Sequence, residues 1–267
     1  MKRKTAAGLI AVGILMLFSS VYAEEAVMEA EGQITRAEVA TVCLRQLDEQ
    51  EPGTILREEI LDPRNPGMYF SKYDIVENDA VYQRIIGKSY QENPHIGLEQ
   101  LKYLKMLHYN FDGEIQVGEM IVNADIADTV LAAFRELFMY KYQIQSMYLV
   151  DNYWTGDGNS TDTASIDVNN TSAFNYRPIT GGGNLSNHAY GRAIDINPQQ
   201  NPYVWYDENG YPNWSHENAN DYIARDTGYA HVITYDDLCY QVLTRYGFSW
   251  GGDWNNPKDY QHFEIRW

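Results

Sequence analysis

Hydrophobic residues recur along the chain with the two periods that distinguish helices from strands. Over residues 126–142 and again over 236–246 they return every three or four positions, and each stripe predicts a helix with one buried face. An aspartate caps the second of these helices and a glycine ends it. Leucines three residues apart predict a shorter helix over 98–107.

Strands are predicted where apolar residues alternate or run together between turn residues. Residues 115–122, which follow a Phe-Asp-Gly turn, form one such segment, and residues 147–150 form another. Residues 151–170 are rich in Asp, Asn, Gly, Ser and Thr and predict a long exposed loop. Together these elements predict an α+β fold with an antiparallel sheet.

Two short segments near the end of the chain, residues 193–197 and 260–267, alternate in the manner of strands. Ile194 and Ile196 share one face of the first, and the large apolar residues at 263, 265 and 267 share one face of the second, because successive strand side chains point to opposite sides. Asp195 and His262 have the other parity, so both point away from the core. If the two strands are neighbours, Asp195 and His262 share one face of the sheet.

His188 lies seven residues before Asp195, beyond a chain reversal that Gly191 permits. His188, Asp195 and His262 can therefore converge on one point. Two imidazoles and one carboxylate suit zinc, and three protein ligands leave a fourth position for water, as in catalytic sites. The pattern predicts a zinc centre with a hydrolytic role.

Three polar residues beside these ligands complete the predicted site. Asp259 lies three residues before His262, in a turn that enters the strand, where its carboxylate reaches the water and acts as general base. Ser186 either orients the His188 imidazole or contacts substrate. Glu264 shares the face of His262 and either orients that imidazole or contacts substrate.

A family resemblance is carried by two motifs. They are Ser-x-His-x-x-Gly-x-Ala-x-Asp over residues 186–195 and Asp-x-x-His-Phe-Glu over residues 259–264. This pair resembles the zinc D-alanyl-D-alanine carboxypeptidases of the VanY type, which share a fold with the hedgehog amino-terminal domain. The resemblance covers roughly residues 69–267, and its other similar segments are 170–178, 197–203 and 250–254.

The resemblance implies a hedgehog/D-Ala-D-Ala-peptidase-like fold whose central antiparallel sheet carries a zinc site. The zinc ligands it implies are His188, Asp195 and His262. It also implies that Asp259 is the catalytic base and that Arg177 steadies the scissile carbonyl or the substrate carboxylate.

The implied activity is hydrolysis of the peptide stem of peptidoglycan, foremost as a D-Ala-D-Ala carboxypeptidase. Two alternatives stay open. One is a wall endopeptidase that cuts between L-Ala and D-Glu, as some proteins with this motif do. The other is a non-catalytic cell-wall-binding or structural protein that uses the same fold.

Residues 1–23 have a basic head, an apolar run and small residues at the end, which is typical of a secretory signal peptide; an uncleaved membrane anchor is the alternative. Cleavage removes three of the 20 Lys and Arg residues and none of the 37 Asp and Glu residues, so the formal net charge falls from −17 to −20. So acidic a protein is not expected to bind nucleic acid. We expect a secreted, cell-wall-associated protein whose partners are peptidoglycan stem peptides, with membrane contact only if the segment is retained.

The exported chain divides into two predicted parts. Residues 24–68 contain an amphipathic helix over 35–47 and a linker, and residues 69–267 form the zinc peptidase domain. The two cysteines, Cys43 and Cys239, are compatible with a disulfide in an exported protein but do not require one.

Overall fold

The structure is a computed structural model, and it describes residues 47–58, 61, 65–225 and 228–266. The predicted signal peptide at 1–23, Cys43 and all but the last residue of the predicted helix over 35–47 lie outside the described residues. Residues 47–267 form one compact unit. Within the described ranges, no helix has the length and apolar character needed to span a bilayer.

Short strands and helices follow one another along the chain. The α-helices are α1 (Ala80–Ile85), α2 (Ala127–Met139), α3 (Gly158–Asp167) and α4 (Leu238–Arg245). The strands of the first part are β1 (Ile55–Leu56), β2 (Phe70–Asp74), β3 (Leu101–Tyr109), β4 (Ile115–Asn123), β5 (Ser146–Met147) and β6 (Asn170–Thr171). The strands of the second part are β7 (Ala193–Asp195), β8 (Tyr203–Tyr206), β9 (Pro212–Asn213), β10 (Ser249–Trp250), β11 (Lys258–Asp259) and β12 (His262–Glu264).

The largest sheet is antiparallel and has the strand order β1-β4-β3-β2. β1 belongs to the segment 24–68 and pairs with β4, so described residues of that segment join this sheet. α2 packs against β3, and the ring of Phe138 lies 5.1 Å from that of Tyr109 between centroids. Helices packed against antiparallel sheets make the described chain α+β.

The predicted helix over 98–107 is wrong, because Leu101–Tyr109 is the extended strand β3. This strand lies between β4 and β2, and nearly all of its side chains are buried, even Lys105 and His108. A strand covered on both faces shows no apolar-polar alternation, so leucines at every third position fit either period. Spacing along the chain alone does not show how many faces of a segment are covered.

The predicted helices over 126–142 and 236–246 are confirmed as α2 and α4, and the predicted strand over 115–122 is confirmed as β4. The Asp237 carboxylate accepts from the backbone N–H of Cys239 and so caps α4. Each of these elements has a clear local signal: α2 and α4 have a buried apolar stripe, and β4 follows a turn.

The predicted loop over 151–170 is wrong in its middle, which forms α3. The buried residues of α3 are Thr161 and Ser165, so no apolar stripe marks it. The predicted strand over 147–150 is reduced to β5, because a 3₁₀ helix begins at Val150.

Two three-stranded antiparallel sheets, β10-β12-β7 and β11-β8-β9, position the residues predicted to form the site. The strands β7 and β12 carry Asp195 and His262, and β11 carries Asp259. The sheet with the predicted ligands is therefore a small separate sheet and not the four-stranded one.

Candidate metal centre

The register of β7 and β12 places two predicted ligands directly opposite each other. His262 pairs with Asp195, and Phe263 pairs with Ile194. Ile194 and Phe263 are fully buried in the core, so Asp195 and His262 point to the opposite face, as their parity predicts. Opposed residues of antiparallel strands have Cβ atoms about 5 Å apart, which is close enough to share one ion.

A tight turn brings His188 to the same face. His188 belongs to the 3₁₀ helix Asn187–Tyr190, and the Ser186 hydroxyl caps this helix by accepting from the His188 backbone N–H at 3.3 Å. Gly191 then adopts the left-handed region, with φ of +65°. A Cβ at Gly191 would lie 2.6 Å from the backbone nitrogen of Asn123, so glycine suits both the turn and the contact with β4.

Three side-chain donor atoms meet at this point. His188 Nε2 lies 3.2 Å from Asp195 Oδ2 and 3.2 Å from His262 Nδ1, and His262 Nδ1 lies 3.2 Å from Asp195 Oδ1. All three side chains are buried. In a tetrahedral zinc site with bonds of about 2.05 Å, neighbouring ligand atoms are about 3.3 Å apart. The donor separations therefore fit a single zinc ion.

The outer ring nitrogens of both histidines are bonded to acceptors. His188 Nδ1 donates to the carbonyl of Ala173 at 2.6 Å, and His262 Nε2 donates to Glu264 Oε2 at 3.1 Å. In neutral imidazoles held this way, the inner nitrogens carry lone pairs. Two lone pairs and a carboxylate that face one another repel unless a cation lies between them. The arrangement thus favours a bound metal ion.

A proton takes the place of that cation when no metal is bound. Burial opposes a charge on His262, but hydrogen bonds with Asp195 and Glu264 outweigh burial and raise the pKa of His262 to about 10. Burial would also raise the pKa of Asp195, yet the imidazoles of His188 and His262 hold that pKa well below its usual range. Metal and proton therefore compete for one buried position.

Glu264 is a buried carboxylate held by three donors. Besides His262, it accepts from Asn187 Nδ2 and, at 2.6 Å, from Arg266 Nε. Burial would raise the pKa of Glu264, but these three hydrogen bonds lower it to about 2. Glu264 therefore stays charged and orients the His262 ring, which is the first of the two roles that the sequence leaves open for it.

An extended segment that includes Ala173 and Arg177 holds His188 from the other side. The backbone N–H of Asn175 donates to the His188 carbonyl at 3.2 Å, and the N–H of Ser186 donates to the Arg177 carbonyl at 3.1 Å. The ring of His188 is oriented by the Ala173 carbonyl, whereas the Ser186 hydroxyl bonds the backbone. Sequence reasoning missed Ala173, because a backbone carbonyl leaves no residue type to recognise.

Asp259 lies on β11 beside the three donors and is 8 % exposed. Gly251 packs against both Asp259 and His262, since a Cβ at Gly251 would lie 2.9 Å from the Cβ of Asp259 and 3.1 Å from the Cβ of His262. Asp259 Oδ1 has no hydrogen-bond partner among the described residues. Burial, together with the charge of Asp195, raises the pKa of Asp259 to about 7. A carboxyl group that titrates near neutral pH suits proton transfer.

Arg177 is a buried cation and not a solvated one. Its Nη2 donates to Asp162 Oδ2 at 2.6 Å, and its Nη1 donates to the carbonyl of Pro178 at 3.2 Å. The negative charge of Asp162 raises the pKa of Asp259, and the positive charge of Arg177 lowers it. The ion pair is therefore close enough to Asp259 to act on it electrostatically. Sequence reasoning missed Asp162, because it assigned residues 151–170 to an exposed loop.

The buried cluster of two histidines and one aspartate has the donor set of a mononuclear metallohydrolase centre. Asp259 beside it, with a pKa raised to about 7, supplies the proton acceptor that such a centre needs. A family model described as D-alanyl-D-alanine carboxypeptidase matches residues 180–265. The family recognised from the sequence is thereby confirmed over this segment, which contains the three donors and Asp259 but not Arg177. No curated protein and no solved structure matches the chain.

Proposed function

We propose that this chain is a secreted zinc peptidase that hydrolyses the peptide stem of peptidoglycan, foremost by releasing the terminal D-alanine of a D-Ala-D-Ala stem. The observation that carries the proposal is the convergence of His188 Nε2, His262 Nδ1 and the Asp195 carboxylate at separations of 3.2 Å. The family match over residues 180–265 supports the wall substrate and a hedgehog/D-Ala-D-Ala-peptidase-like fold. Export is supported by the basic and apolar pattern of residues 1–23.

In this proposal His188, Asp195 and His262 hold the zinc ion. Bound zinc supplies a Lewis acid that polarises the scissile carbonyl and lowers the pKa of water. Two neutral imidazoles and one carboxylate cancel only part of a dication's charge, so the loaded site stays electrophilic. The hydrogen bonds from the rings to Ala173 and Glu264 keep both imidazoles in the tautomer that binds metal.

Asp259 moves the proton in the proposed reaction. It accepts a proton from the attacking water as the water oxygen bonds to the carbonyl carbon. It then gives that proton to the nitrogen of the departing D-alanine as the C–N bond breaks. Burial raises the pKa of Asp259 above the usual carboxyl range, which favours its uptake of a proton from water. Arg177 binds the terminal carboxylate of the substrate or steadies the developing oxyanion.

The proposal is tested by incubating the purified, zinc-loaded protein with muropeptides that carry a pentapeptide stem and weighing the products, with and without a chelator. Loss of one alanine that stops with the chelator is the expected result. A cut between L-Ala and D-Glu would identify an endopeptidase on the same site. No product from zinc-loaded protein would refute a peptidase and favour a non-catalytic wall-binding protein.

Two substitutions separate metal binding from proton transfer. Asp259→Ala is expected to keep stoichiometric zinc and to lose turnover by roughly 100- to 10,000-fold. His188→Ala is expected to lose both zinc and turnover. Asp236→Ala is the matched control, because it removes an exposed carboxylate outside the site. Full turnover by Asp259→Ala would show that another group, with Glu264 the first to test, takes the proton.

A further inference from the structure

We propose that Asp162, on α3, is a positioning residue that holds the Arg177 guanidinium in the orientation in which it binds substrate. The inference rests on the proposed peptidase function. It adds a residue that lies outside the matched segment 180–265 and that acts through Arg177.

The ion pair between Asp162 and Arg177 is almost entirely withdrawn from solvent. The two side chains are 14 % and 7 % exposed, and Arg177 Nη2 lies 2.6 Å from Asp162 Oδ2. Arginine does not lose its proton in proteins, so a guanidinium at this depth needs an anionic partner. A contact that short and that buried, together with the hydrogen bond from Nη1 to the Pro178 carbonyl, restrains the guanidinium far better than an exposed pair does.

Asp162 does not use every donor of the guanidinium. Arg177 Nη1 donates to the Pro178 carbonyl at 3.2 Å, and Arg177 Nε is buried without an acceptor among the described residues. A buried N–H that lacks an acceptor is costly, and a carboxylate or carbonyl oxygen of a substrate would satisfy it. Nη1 and Nη2 are thus held by the protein, and Nε is the donor left without a partner among the described residues.

The start of α3 is built against Arg177. Asp157 caps the helix by accepting from the backbone N–H groups of Asn159 and Ser160, both at 3.0 Å. The next residue, Gly158, lies so close that a Cβ there would be 2.8 Å from the Arg177 Cβ. The Gly158 carbonyl also accepts from Asn175 Nδ2 at 2.9 Å. Asp162 therefore lies one helical turn after Gly158, which packs against Arg177.

The end of α3 is held by a separate segment of the chain. Asn218 Nδ2 donates to the carbonyl of Asp167 at 3.0 Å, and His216 Nδ1 lies 2.8 Å from Asp167 Oδ1. Because α3 has almost no apolar face, these polar contacts at its two ends set its place. A helix fixed at both ends holds Asp162 in one position, as a positioning residue requires.

The first experiment compares Asp162→Asn with Asp236→Asn in the zinc-loaded protein, on the pentapeptide muropeptide. Both remove one carboxylate charge, but Asp236 is exposed and lies outside both α3 and the site. We expect Asp162→Asn to lower kcat/KM by roughly 10- to 100-fold, the effect of a small misplacement of a binding group. The Asp236→Asn variant should keep the wild-type value.

The second experiment is a double-mutant cycle with Arg177→Gln. If Asp162 acts through Arg177, Asp162→Asn adds less than about twofold in the Arg177→Gln background, and both single variants divide their loss between kcat and KM in the same way. The comparison of Arg177→Gln with the double variant is decisive even if Asp162→Asn alone does not fold, since the double variant leaves no unpaired buried charge.

The outcomes separate this inference from the function on which it rests. An active wild type with unchanged kcat/KM in Asp162→Asn overturns the positioning role alone. So does a full further loss when Asp162→Asn is added to Arg177→Gln. A zinc-loaded wild type that cleaves no muropeptide overturns the proposed function and the positioning role together.

Discussion

The turn at Gly191 offers the sharpest test of how the fold sets the metal centre. Gly191→Ala forces a Cβ into a residue with φ of +65°, which costs about 1–2 kcal/mol for a residue other than glycine. The same Cβ would lie 2.6 Å from the nitrogen of Asn123 and 2.9 Å from the carbonyl carbon of Val122. Both atoms are backbone of β4, so the turn or the strand must shift, at about a further 1–3 kcal/mol.

Gly87→Ala is the matched control, because Gly87 has φ of +72° but nothing within 4 Å of its Cβ position. Urea unfolding at 25 °C should show a loss of about 1–2 kcal/mol for Gly87→Ala and about 2–5 kcal/mol for Gly191→Ala. The additional loss of stability in Gly191→Ala over Gly87→Ala measures the cost of the contact with β4, because both residues have the same left-handed backbone conformation.

The same substitution should weaken zinc binding, because Gly191 lies between His188 and Asp195 and its shift moves their donor atoms apart. Each 1.4 kcal/mol of lost binding free energy appears as a tenfold weaker affinity in competition with a chelator. Gly87→Ala should bind zinc like the wild type. Equal stability losses in the two variants, with unchanged zinc affinity in Gly191→Ala, would refute the claim that the contact with β4 sets the ligand geometry.

Two further predictions concern His108 and Glu264. Burial lowers the pKa of His108 from 6.5 to about 4, so stability that is present above pH 6.5 is lost as the pH falls to 4. Between pH 7 and pH 4, urea unfolding should show that the wild type loses roughly 3 kcal/mol more stability than His108→Gln does. Equal losses in the two proteins would contradict this prediction. Glu264→Ala should weaken zinc binding by roughly 10- to 100-fold in chelator competition, whereas Arg266→Ala, which removes an exposed partner of Glu264, should change it little.

Much of the candidate site could be predicted from local pattern. The parity of Asp195 and His262 depends only on strand geometry, and their observed pairing opposite each other needs just the adjacency of β7 and β12. The turn at Gly191 is likewise local, since a left-handed residue favours glycine in any fold. The same holds for α2 and α4, whose buried stripes repeat at helical spacing.

What the sequence alone could not decide depends on contacts between distant segments. The sequence pattern does not identify the strand β3, because residues distant in the sequence bury it on both faces. The polar helix α3 has no apolar period, and its ends are held by residues such as Asp157 and Asn218. The Ala173 carbonyl and the pairing of Asp162 with Arg177 exist only once the chain has folded, because a residue's type does not state which group will lie 3 Å away.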